Sequence, residues 1–135
     1  MMLADHAQVA EGKLFVSGGG WTLCGPGPVA CSVALLFHTP WQNTNEPITF
    51  TLRLLDEDGA PVRQPGPEGG QDVQAGGQFE SGRPPGMAPG TEINVPIAFN
   101  TVLQLPPGSR FTWVLEIDGQ ADDDWRLSFA TREAQ

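Results

Sequence analysis

Hydrophobic and polar residues alternate with a period of two in four separate runs of this chain. Ile48, Phe50, Leu52 and Leu54 interleave with Thr49, Thr51 and Arg53, and Ile93, Val95, Ile97 and Phe99 with Asn94, Pro96 and Ala98. Phe111, Trp113, Leu115 and Ile117 interleave with Thr112, Val114 and Glu116, and Trp125, Leu127 and Phe129 with Arg126 and Ser128. Alternation sends every second side chain to one face, so each run predicts a strand with one buried side. Val29 to Phe37 is apolar on both phases apart from Ser32, which predicts a central strand. Pro96 has no N–H to give to a ladder, so its strand is expected at an edge or a bulge.

Turn chemistry falls between these runs. Glu11-Gly12 separates two short strand-like stretches at the start and predicts a hairpin, with an irregular exit through Gly18-Gly19-Gly20 to Trp21. Asp56-Glu57-Asp58-Gly59, Pro106-Pro107-Gly108 and Asp118-Gly119 supply further turns, the last opening the link from Ile117 to Trp125. Many short strands, closely spaced turns and no helical period predict an all-β protein: an antiparallel β-sandwich of immunoglobulin-like kind. A small barrel is the competing closure. The chain reads as a single domain over 1–135, interrupted by a long Gly/Pro-rich loop or arm at about 64–90, where Val73 to Glu80 is the one candidate strand.

Composition narrows the function classes. Seventeen glycines and 13 prolines, with lysine only at Lys13, argue against a helical protein. A net charge of −9 with scattered arginines argues against nucleic acid and anionic membrane surfaces. No apolar run reaches the ~20 residues of a membrane-crossing helix. The start has neither the basic nor the apolar region of a secretory signal, so a cytoplasmic location is expected, or a virion if the chain is phage-encoded. Cys24 and Cys31 then read as reduced thiols, a disulfide between them being the alternative in an oxidising space.

Candidate chemistry is sparse. No nucleophile elbow, phosphate loop or zinc spacing is present, so no catalytic residue, cofactor or metal is assigned. The acidic groups Asp56–Asp58 and Asp118, Asp122, Asp123 and Asp124 read as solvated turns rather than a calcium site, for they lack full EF-hand spacing. Trp113 and Trp125 fall on apolar phases and belong to the core. Trp41 lies in a polar loop, where it is either a lid over the sandwich or an anchor for a sugar or a partner protein. Phe79, Arg83 and Met87 stand in the 64–90 segment, either folded over their own domain or offered to a partner.

The stretches Leu3-Ala4-Asp5, Gln8-Val9, Gly12-Lys13-Leu14 and Gly18-Gly19-Gly20-Trp21 are similar to the opening of a family of small uncharacterised proteins from actinobacteria and their phages. The likeness continues through Gly82-Arg83-Pro84-Pro85-Gly86 and Asp122-Asp123-Asp124-Trp125-Arg126-Leu127. It implies a self-standing domain and carries over no catalytic residue. The leading expectation is a non-catalytic interaction domain that binds protein or assembles with its own copies, with Trp41, Phe79, Arg83 and Met87 as candidate contacts. A phage structural role, as capsid decoration or virion component, is the alternative, and a carbohydrate-binding module using Trp41 the next.

Overall fold

The computed structural model describes residues 1–66 and 69–134. Among them the chain forms β1 (Met2–Ala10), β2 (Lys13–Gly19), β3 (Leu23–Cys24), β4 (Gly27–Thr39), β5 (Pro47–Leu55) and β6 (Arg63–Gly66). It continues as β7 (Gly69–Asp72), β8 (Gln74–Glu80), β9 (Ile93–Leu105), β10 (Arg110–Ile117) and β11 (Gln120–Thr131). A 3-10 turn at Trp41–Asn43 is its helical element. The first sheet has the order β2-β1-β4-β9 and the second β3-β11-β10-β5-β8, with β6 and β7 paired as a separate hairpin. Every pairing is antiparallel except the short one between β3 and β11. The protein is the expected all-β sandwich.

The alternating runs place the core. Leu3, Cys31, Val33, Leu35, Phe37, Leu103 and Leu105 face inward from the first sheet. Phe50, Leu52, Leu54, Phe111, Trp113, Leu115 and Phe129 meet them from the second. Trp113 is fully buried, with its ring edge-on to Phe99 at 5.9 Å between centroids. Trp21 packs edge-on against Phe129 at 5.6 Å, and Trp125 is half-buried at the margin of the same cluster.

Local chemistry explains the joints. Glu11 and Gly12 both take positive φ between the paired residues Ala10 and Lys13, as do Asp118 and Gly119 between Ile117 and Gln120. These are the two-residue turns whose twist suits a hairpin. Gly18 also takes positive φ, which favours glycine, and a Cβ there would meet the Asp5 carboxylate, while β2 stays paired with β1 through Ala4↔Gly19. Pro96 sits on β9, an edge strand, as its missing N–H requires.

Two expectations need correction. Asp122, Asp123 and Asp124 do not belong to a hairpin connection but to β11, where its pairing with β10 shifts register between Val114 and Glu116. Asp122 Oδ1 accepts from the Asp124 N–H at 2.9 Å, which holds the irregularity in shape. The 64–90 segment is less loop than expected: besides β8, which matches the candidate strand Val73 to Glu80 and pairs with β5 from Pro47↔Glu80 to Arg53↔Gln74, it contains part of the β6–β7 hairpin. Gly76 serves close approach, since a Cβ on it would stand 2.9 Å from the Phe50 carbonyl oxygen. Pro67 and Glu68 of that segment lie outside the described residues.

Candidate interaction site

The structure unites two of the four sequence candidates and separates the others. Pro40 and the 3-10 turn deliver Trp41 at the end of β4, and Arg83 follows β8 by three positions. The Arg83 guanidinium lies over the Trp41 ring, 4.1 Å from its centroid. Its Nε donates to Thr44 Oγ1 at 2.5 Å and its Nη2 to the Trp41 carbonyl at 2.9 Å, while Thr44 Oγ1 itself donates to that carbonyl at 2.7 Å. Asn45, at positive φ, donates its N–H to the Ser81 carbonyl at 2.7 Å. Trp41 and Arg83 thus fasten two loops to each other, and one face of the indole is already occupied.

Phe79 stands apart from them and takes the folded-over alternative. Its ring packs on Phe37 at 4.9 Å and faces Phe50 at 6.1 Å, inside the sandwich. Met87 is half-buried within the turns of 84–91, where its N–H donates to the Pro84 carbonyl at 3.3 Å. Beside the Trp41 loop a groove of about 320 Å³ is lined by His38, Asn43, Glu46, Ile48 and Asp118.

Titratable groups form no reactive constellation among the described residues. His38 Nδ1 lies 2.8 Å from both Glu92 Oε1 and Asn94 Oδ1, and no hydroxyl or thiol bonds to it. No group of three His, Cys, Asp or Glu residues is placed to hold a metal ion, again among the described residues. Both thiols are free. Burial pushes Cys31 up to about 11; the Trp113 indole N–H beside it favours the thiolate weakly but falls short of hydrogen-bond geometry. Such a thiol is protonated at neutral pH and a poor nucleophile.

The surface that sequence reasoning missed is on the strands of the first sheet and its β1–β2 hairpin. Met2, Val9, Phe15, Val16, Leu36 and Val102, all on its strands, are large apolar residues left exposed; Leu23 on β3 is the other one among the described residues. The β1–β2 hairpin creates this surface by crossing over β9. Asn100 receives it: Oδ1 accepts the Ala7 N–H at 3.2 Å and Nδ2 donates to the Ala7 carbonyl at 2.8 Å, as a neighbouring strand would. Ser32 Oγ donates to the same Asn100 Oδ1. The fit needs small side chains, and Ala4, Ala7, Ser32 and Ala34 are all buried there. One sign was legible: Leu14-Phe15-Val16 is a consecutive apolar run that cannot all face a core.

Residues 1–130 match a family of unknown function (DUF6941), and the chain belongs to it. No curated protein and no solved structure matches the chain. Among the described residues no helix is long and apolar enough to cross a membrane.

Proposed function

We propose that this protein is a non-catalytic interaction domain that works by binding protein through the outer face of its first sheet. The observation that carries the reading is the bare apolar set Val9, Phe15, Val16, Leu36 and Val102 on the strands of the first sheet of an otherwise acidic molecule. Large apolar side chains left exposed together on one sheet, rather than scattered singly, mark an interaction site. The absence of a nucleophile at His38 and the inert Cys31 favour binding over chemistry. The Trp41–Arg83 stack is assigned a holding role between loops, and this leaves a sugar only the other indole face. A phage particle, in which copies of one chain tile together, is the setting that the likeness to actinobacterial and phage proteins adds.

The test is cross-linking of the tagged chain in the cells that make it. A complex is expected for the natural sequence and should be lost when Val9, Phe15 and Val16 are all changed to Ser, with the fold intact by circular dichroism. These side chains are 43%, 49% and 38% exposed, so their loss should cost little stability. A natural chain recovered only at the mass of one copy would overturn the reading.

A further inference from the structure

We infer that the partner includes a second copy of this chain, joined edge to edge through β9 in an antiparallel pair centred on Asn100. This deepens the reading above and rests on it, but the element that carries it is the edge of the sheet rather than its face.

The open edge of β9 can be read residue by residue. Its register with β4 runs unbroken from Gly27↔Leu105 to Thr39↔Ile93. In an antiparallel ladder, successive residues turn their N–H and C=O alternately toward the partner strand and away from it. Gln104 turns them away: its N–H donates to Gln64 Oε1 at 2.8 Å and its carbonyl accepts from Gln64 Nε2 at 3.2 Å, outside the ladder. Opposite it stands Pro28, which has no N–H to offer. The even positions of β9 therefore point outward, and Pro96 falls on that phase. Between Pro96, which lacks a donor, and Gln104, which is capped by Gln64, the outward groups of Ala98, Asn100 and Val102 have no partner among the described residues.

This window is symmetric. Pro96 and Gln104 lie equally far from Asn100 on either side. In an antiparallel pair of two copies centred on Asn100, each Asn100 exchanges its N–H and C=O with its counterpart, and Ala98 does so with Val102 of the partner subunit. Pro96 then faces the partner's Gln104, so the position without an N–H meets the one already bonded to Gln64, and the outward N–H groups of Ala98, Asn100 and Val102 all find partners. A two-fold interface requires such self-complementarity.

Charge points to the same edge. A chain of net charge −9 repels its own copy, yet the 13 residues of β9 carry no charged side chain. Edge strands normally avoid pairing through charges, shortness or irregularity. The other edges show those devices: β3 has 2 residues, β8 carries Gly76, Gly77 and Glu80, and β2 closes through Gly18, at positive φ, and Gly19. On β9 Val102 is instead 66% exposed. Phe99, half-buried at the end of the sheet, would gain cover from a continued sheet.

The experiment is sedimentation velocity of the purified chain over a concentration series. The natural sequence should form a dimer. Changing Ala98→Lys and Val102→Lys together sets like charges opposite each other and should weaken the dimer at least tenfold. Ala98→Asp with Val102→Lys sets opposite charges across the same pairs and should restore it. Melting curves confirm folding of each variant; should the double lysine form not fold, Val102→Pro, which removes one outward N–H that β4 does not use, should weaken the dimer instead. A dimer unaffected by these changes, or a failure of the Asp/Lys form to restore it, overturns the pairing. A purified chain that is monomeric throughout while the cross-linked cells still yield a complex overturns the pairing and leaves the interaction reading standing.

Discussion

Each outer face of the sandwich carries a valine, and the two are treated in opposite ways. Val114 on the second sheet stands in register between Arg53 of β5 and Arg126 of β11, and only 7% of it is exposed. Val102 on the first sheet is 66% exposed. The arginines have long aliphatic stems that cover apolar surface while their charged heads stay in water. Around Val114 they are joined by Thr112, which shares a hydrogen bond with Ser128 at 3.0 Å, and by Glu116, paired with Arg53. The second sheet is thus finished toward solvent, whereas the first keeps Val9, Phe15, Val16, Leu36 and Val102 bare. One domain shows both solutions, so the apolar face is not a general property of its composition.

The comparison has meaning only if the sheets face each other across a common core. Trp113 tests this with the largest expected effect. Its fully buried indole is packed between the sheets, and Trp113→Ala should cost ~3–5 kcal/mol in urea unfolding. A loss near zero would mean that the inner and outer phases have been exchanged.

Next in size is the clamp that brings the hairpin over the first sheet. Ala7 is fully buried and its backbone groups are bonded to the Asn100 amide. Asn100→Ala leaves them unpaired, which should cost about 1–3 kcal/mol. Amide exchange should accelerate at Ala7 and in the β1–β2 hairpin while β10 stays protected. Unchanged protection at Ala7 would show that something other than Asn100 holds the hairpin down.

The sequence disclosed these regions unequally. The inward phases of β5, β9 and β10 were legible because period-two alternation is a local signal, and Pro96 alone marked β9 as an edge. β8 was half hidden: its glycines imitate a flexible linker, although a side chain on Gly76 would press on the Phe50 carbonyl oxygen. The run Asp122 to Asp124 imitates a turn, because aspartate bonds its own neighbouring backbone equally well at a strand irregularity. The bonds of Asn100 to Ala7 and of Arg83 to Trp41 span 93 and 42 positions and leave no local trace. Phe79 could have gone either way, and it was the pairing of β8 with β5 that drew it inside.

The smallest expected effect falls on the polar face. Arg53 Nη1 and Glu116 Oε1 are 3.0 Å apart, with the two side chains 47% and 27% exposed. Solvent screens a pair this open, so its coupling energy in a double-mutant cycle should be about 0.5 kcal/mol, shrinking as salt is added. Glu116→Ala removes only the charge partner and should cost no more than that. Arg53→Ala also strips the stem beside Val114 and should cost more, while Arg53→Met keeps the stem and should fall back to the Glu116→Ala value. Equal losses for Arg53→Ala and Arg53→Met would mean that the arginine stem does not cover Val114. The contrast between the two faces would then rest on backbone shape alone. None of these changes should alter the mass of the assembled protein, since they lie on the sheet that the proposed contacts do not use.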